Sequence, residues 1–264
     1  MKKIFLITVL MLFLAACSSV MLTGRKRLLL VSDSEVLSSS AVAYSDFIKT
    51  APISKDTKNT ALVKKVGANL AAAVTKYLKE NGMEAELQNY AWEYNLVQSD
   101  EVNAFCMPGG KIVVYEGILP ITKDETGLAV VLGHEVAHAI AKHSNERMSQ
   151  EVFTQLGASA VDVILAGKSD ATRNAASTLY GLGTNLGILL PYSRTHELEA
   201  DHLGLIFMAM AGYDPQQAVG FWQRMSANGS AAPLEFLSTH PSDQTRIAKI
   251  QEFLPEALKY YQKK

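Results

Sequence analysis

The sequence predicts an α+β, predominantly helical domain with a small sheet packed beside one chemically equipped helix. Three observations carry this. Long stretches place apolar residues every three or four positions, the period of an amphipathic helix. A central tract, residues 90–115, is instead rich in aromatic and β-branched residues and holds the turn signal Pro108-Gly109-Gly110. Soon after it, Gly133-His134-Glu135-Val136-Ala137-His138 sits inside an apolar run. The chain has 264 residues, 48% hydrophobic and 19% charged, enough for one sizeable core without disulfide or repeat stapling.

The N-terminus reads as a targeting segment. Lys2 and Lys3 precede residues 4–16, which are apolar apart from Thr8. That run is too short to span a bilayer as a helix and suits the core of a secretory signal. Leu14-Ala15-Ala16-Cys17 resembles a bacterial lipobox, in which cleavage precedes a diacylated cysteine. The alternative is an ordinary signal with an incidental cysteine. The lipobox reading divides the chain into a signal peptide (1–16), a membrane tether (17–31) and a single domain (32–264), with Cys17 lipidated. Loss of Lys2 and Lys3 takes the formal charge from −1 to −3, which argues against a general nucleic-acid binder. Cys106 then has no disulfide partner and reads as a buried, inert thiol. Arg25, Lys26 and Arg27 read either as a solvated basic turn or as a contact for anionic lipid.

Ser32 and Asp33 can cap a helix running to about Thr50, with Pro52 breaking it. Asp56 to about Asn81 predicts a second, with Leu62, Val66, Leu70, Val74 and Leu78 on one stripe. Strands are expected at 90–97, 102–107 and 111–115. Thr122 or Asp124 can cap the helix that holds His134. A long helical region follows to about Leu190. Its Asp162, Lys168, Asp170 and Arg173 argue against a membrane span, and its small residues point to close helix packing. Helices are expected again at about 193–211, 215–227 and from 241 onward.

His134-Glu135-Val136-Ala137-His138 is H-E-x-x-H. On a helix, residues four apart share a face, so both histidines can hold one metal ion. Glu135 points off that face, toward a metal-activated water rather than the metal, as a general base would. His143 lies five residues past His138, a spacing that turns it off the metal face. Downstream, Glu197 and Asp201 are also four apart. Glu197 can supply the third ligand while Asp201 bonds the free nitrogen of a ligand histidine. His196 and His202 are rivals for the third place, but read more simply as partly exposed helix histidines. Two histidines and one glutamate leave a corner open, the catalytic arrangement for zinc. One Zn2+ per subunit is expected.

LGHEVAHAIAKH, then SRTHELEADHLG, then THPSDQTRI, resemble the gluzincin peptidases related to HtpX and the CAAX prenyl endopeptidase. Within that family the similarity is to the periplasmic lipoprotein branch that includes LoiP, BepA and the mitochondrial Oma-type proteases. The resemblance spans about Asn103 to Ile247. It implies a zincin-like fold, zinc ligands His134, His138 and Glu197, the catalytic base Glu135 and the second carboxylate Asp201. It also implies a substrate-binding strand pair involving Asn103, Ala104, Lys111, Ile112 and Val113, with an edge strand at KIVVY, Asn103 alternatively capping the turn. His240 either closes the open zinc corner or bonds an oxyanion, or is a helix-end histidine without catalytic weight. The preceding residues 228–233 have the composition of a gating loop. Arg246 either stabilises the oxyanion or pairs with Asp201. Unlike HtpX and the prenyl endopeptidase, the chain shows no transmembrane helix after its signal, and a BepA-like repeat array is not expected.

The expected function is a membrane-anchored zinc endopeptidase that hydrolyses periplasmic or outer-membrane proteins in envelope quality control. Its partners would be polypeptide substrates, a membrane through the N-terminal lipid, and outer-membrane assembly factors. Ser18 in place of an aspartate favours the outer membrane over the inner. A chaperone-like lipoprotein with a plugged zinc site is the alternative.

Overall fold

Asp56 accepts the Asn59 backbone N–H at 2.9 Å and starts a 24-residue helix, Thr57–Glu80. The computed structural model containing it describes residues 17–20, 23–185, 189–229, 235–240 and 244–262. The signal sequence predicted for residues 1–16 lies outside them, as do residues 230–233 of the gating segment. The strands are β1 (Cys17–Ser19), β2 (Lys26–Leu28), β3 (Glu93–Val97), β4 (Ala104–Met107) and β5 (Lys111–Tyr115). The helices begin with α1 (Asp33–Thr50), α2 (Thr57–Glu80), α3 (Leu119–Thr122), α4 (Glu125–Ile140) and α5 (His143–Ile164). They continue with α6 (Asp170–Thr184), α7 (Leu190–Met210), α8 (Gln217–Gly229), α9 (Glu235–Thr239) and α10 (Gln244–Ala257). Among the described residues no helix is long and apolar enough to cross a membrane.

The chain forms two compact units. One comprises residues 37–141 and 197–264. Its core is the α+β arrangement the composition predicts. α2 packs on both α4 and β3, and its buried stripe is Val63, Val66, Leu70, Val74 and Leu78. Val63 rather than Leu62 heads that stripe, because successive four-residue steps each drift about 40° round the helix and carry Leu62 off the buried face. The sheet has the order β3-β5-β4, with β3 parallel and β4 antiparallel to β5. β4 lies against α4, and α4 is buried along most of its length. Asp124 caps α4 by accepting the Gly127 N–H at 2.8 Å.

The strand order corrects one expectation. β5 is the middle strand, paired on both sides, and Ile112 and Val113 are fully buried. The main chain of Lys111, Ile112 and Val113 is therefore committed within the sheet. The edge beside the zinc-motif helix belongs to β4.

The other unit comprises residues 1–36 and 142–196. Of the stretch read as a tether, residues 17–20 and 23–31 are described there: β1 pairs antiparallel with β2, and β2 packs on α5. Arg25 is not a solvated or lipid-facing cation. It makes a two-bonded pair with the buried Glu146, at 2.7 and 2.8 Å. The long helical region expected to Leu190 breaks at residues 165–169, where Ser169 caps α6. Tyr180 packs over Gly157 and donates to the Thr154 carbonyl at 2.9 Å, so the small residue does admit a close helix approach.

Candidate metal centre

α4 carries His134 and His138 one turn apart, with their Nε2 atoms 3.1 Å from each other. α7 brings Glu197 and Asp201 to the same place because it crosses α4 at two glycines. A methyl on Gly133 would meet the Gly204 carbonyl oxygen at 2.9 Å, and one on Gly204 would meet the Gly133 backbone at 2.9 Å. Side chains there would force the helices apart.

Glu197 sets one oxygen 3.3 Å from His134 Nε2 and the other 3.3 Å from His138 Nε2. His240, directly after α9, adds Nδ1 at 3.0 Å from Glu197 and 3.1 Å from His134 Nε2. One ligand atom from each of His134, His138, Glu197 and His240 lies within 4.8 Å of the others. Three imidazoles and a carboxylate are a donor set suited to zinc. His240 thus lies in one cluster with the three ligands read from the sequence.

Asp201 is buried and bonds His134 Nδ1 at 3.0 Å, which leaves His134 Nε2 directed into the cluster. Its carboxylate also accepts two bonds from Arg246, at 2.6 and 2.8 Å. Arg246 is thus paired with Asp201 in this structure. Arg246 also donates to the His240 carbonyl at 3.2 Å and lies over the Trp222 ring at 3.6 Å from its centroid. It joins the carboxylate that orients His134 to the backbone that presents His240.

Electrostatics follow the geometry. Burial would lower the His134 imidazole, but bonds to Asp201 and Glu197 outweigh it and hold it up at about 9. Burial would raise Glu197, yet the three histidines hold its carboxyl far below the usual range. Burial would likewise raise Asp201; the Arg246 guanidinium keeps it low. Glu135 shifts the other way. Its burial pushes the carboxyl up, and its Oε1 has no hydrogen-bond partner, the nearest ring nitrogen being His240 Nε2 at 3.5 Å. A buried orphan acceptor beside a ligand cluster fits a group that receives a proton from something bound there.

The other predicted residues fall as follows. Asn103 turns its Oδ1 back to accept the Ala104 N–H at 2.9 Å. Ala104 begins the edge strand β4. His143 is buried and stacks on His196 at 4.3 Å between ring centroids. His196 is not partly exposed; it is 2% accessible and lies 3.2 Å from Glu146. His202 bonds Glu256 at 2.9 Å. Cys106 is half-buried rather than fully buried, and desolvation of its thiol pushes its pKa up.

Sequence reasoning missed Trp222 and Phe236. Both are buried and lie beside His134, at 5.5 and 6.5 Å between ring centroids. Their signal was weak: an aromatic pair on one helix, and a Phe four residues before His240.

Residues 65–254 match the profile of peptidase family M48, and residues 1–18 match the prokaryotic membrane lipoprotein lipid attachment site. The chain is 41% identical over 186 residues to the mitochondrial metalloendopeptidase OMA1 of Schizosaccharomyces pombe, covering 70% of this chain and 53% of that one. It is 30% identical over 246 residues to OMA1 of Homo sapiens, covering 90% and 46%. It is 30% identical over 185 residues to the beta-barrel assembly-enhancing protease of Escherichia coli, covering 66% and 38%. The match thus spans about half the length of the first two relatives and less of the third.

Proposed function

Since this chain belongs to peptidase family M48, we propose that it is a zinc endopeptidase, lipid-anchored at Cys17, that cleaves proteins of the bacterial envelope. The observation that carries the chemistry is the orphaned, buried Glu135 oxygen beside four converging ligand atoms. His134, His138 and Glu197 would hold the zinc, which when bound polarises a peptide carbonyl and a water as a Lewis acid. Glu135 Oε1 takes the proton of the attacking water and returns it to the leaving amine nitrogen. Asp201 fixes the His134 tautomer, and Arg246 fixes Asp201.

The extended substrate would add to β4. Tyr115 N–H donates to the Asn103 carbonyl, so in that antiparallel register the alternate residues Ala104 and Cys106 turn their main-chain groups away from β5. In the described conformation the Phe236 N–H donates to the Val102 carbonyl just ahead of that edge, while His240 takes the fourth ligand corner. One short segment therefore holds the entrance and the metal position together, which supports a resting, gated enzyme. It also supports the second reading, a chaperone-like lipoprotein with a plugged site.

The lipid attachment match and the Escherichia coli relative, named for β-barrel assembly, support the envelope setting. Ser18 favours the outer membrane, and assembly factors there are the partner class. The test is cleavage of casein and of a peptide library by wild type and Glu135→Gln. Cleavage abolished by a zinc chelator and by Glu135→Gln, with zinc still bound in the variant, is expected. Wild type that cleaves nothing, or a variant that cleaves equally, would sink the peptidase reading.

A further inference from the structure

The α5–α6 hairpin buries very little. α5 has buried residues only in its first two turns, His143 to Gln150, and α6 has none. Beyond them α5 exposes Val152, Phe153, Leu156, Val163 and Ile164, the last two more than three-quarters accessible. At 100° per residue these five fall within a stripe about 120° wide. Leu179 and Leu182 extend the exposed apolar surface onto α6. Two helices of this length gain little from propensity alone; an uncovered apolar stripe calls for a cover.

The same compact unit carries the lipid attachment site. β1 begins at Cys17 itself and pairs with β2, which packs on α5. The Leu30 and Val31 N–H groups both donate to Ser149 Oγ, and Arg25 grips Glu146. Among the described residues the anchor point and the hairpin belong to one compact unit. From Ser149 to Ile164 the helix advances only about 22 Å. A diacyl chain at Cys17 therefore holds the stripe within reach of an apolar phase.

We propose that the α5–α6 hairpin lies on the phospholipid bilayer, with its apolar stripe entering the headgroup–acyl boundary as a second membrane contact. No charged residue falls between Val152 and Val161, and at the tip Asp162 and Asp170 balance Lys168 and Arg173. The contact is apolar and does not need anionic lipid.

The inference rests on the lipid-anchor reading, and the experiment separates the two. The full lipidated protein is reconstituted in phosphatidylcholine vesicles as Leu156→Trp, Val163→Trp or Gln155→Trp, all at exposed positions, Gln155 lying outside the stripe. Flotation reports the anchor; quenching by brominated phosphatidylcholine, above the background of Trp92 and Trp222, reports the hairpin. At least twofold stronger quenching at 156 and 163 than at 155 is expected. Floating protein with equal quenching at all three sites overturns the hairpin contact alone. A blue shift that ignores bromine and grows with protein density overturns it in favour of a second copy of this chain. Protein that does not float removes the anchor and the contact together.

Discussion

Gly133 and Gly204 touch backbone to backbone where α4 crosses α7, and that contact sets the distance between His134 and Asp201. The neighbouring atoms are main chain, so they cannot swing aside. Gly204→Ala is expected to destabilise the protein by about 1–3 kcal/mol, the usual range for overpacking. It should also lower the zinc-to-protein ratio. Denaturant unfolding and metal analysis check the two effects; an alanine variant with wild-type zinc content would contradict the crossing as the cause of the cluster.

Asp201 serves two partners, and its loss should be felt at both. Asp201→Asn is expected to weaken zinc binding about 10–100-fold, as loss of a ligand's orienting partner does. It also takes from the buried Arg246 its closest counter-charge, Glu197 remaining at 3.3 Å, a cost of at most about 3–5 kcal/mol. Zinc titration against a competing chelator and thermal unfolding measure these separately. Arg246→Met in the Asp201→Asn background should recover stability but not zinc affinity.

His240 Nδ1 lies 3.1 Å from His134 Nε2 and 3.0 Å from Glu197, inside the ligand cluster. His240→Ala is expected to raise the cleavage rate on a short peptide while leaving zinc bound by His134, His138 and Glu197. A variant that binds zinc but cleaves more slowly than wild type would instead assign His240 to the chemistry.

Glu146 should govern the acid stability of its unit. Burial would raise its carboxyl, but Arg25 and His196 hold it down at about 2. Its folded value lies below the unfolded value of about 4.3. The stabilisation is therefore complete above about pH 4.3 and is lost as pH falls toward 2, amounting to at most about 3 kcal/mol. Unfolding followed from pH 6 to pH 2 should show a steeper loss in wild type than in Glu146→Gln. Parallel curves would exclude the pair as the source.

Much of this was legible because it is local. The four-residue spacings of His134 with His138 and of Glu197 with Asp201 state which side chains share a face, and helices α4 and α7 deliver them to one point. Asp56 and Asp124 announce their helices by their own chemistry. What was illegible depends on distant partners. KIVVY reads equally well as an edge or a central strand, since β-branched residues suit both and strand order is not written in either strand. Arg25 and His196 looked solvated because Glu146, which claims them both, lies 121 and 50 residues away. Trp222 and Phe236 carry no chemical signature; only the folded chain sets them against His134.

Trp222 gives the centre an optical voice. Its indole lies under the Arg246 guanidinium and beside the His134 imidazole, whereas the chain's other tryptophan, Trp92, stacks on Tyr90. Occupation of the cluster changes the charge on the neighbouring His134 ring, and movement of the His240 segment changes its Phe236 neighbour. The protein is thus born with a fluorophore able to time metal arrival and movement of the His240 segment in stopped flow, without any label.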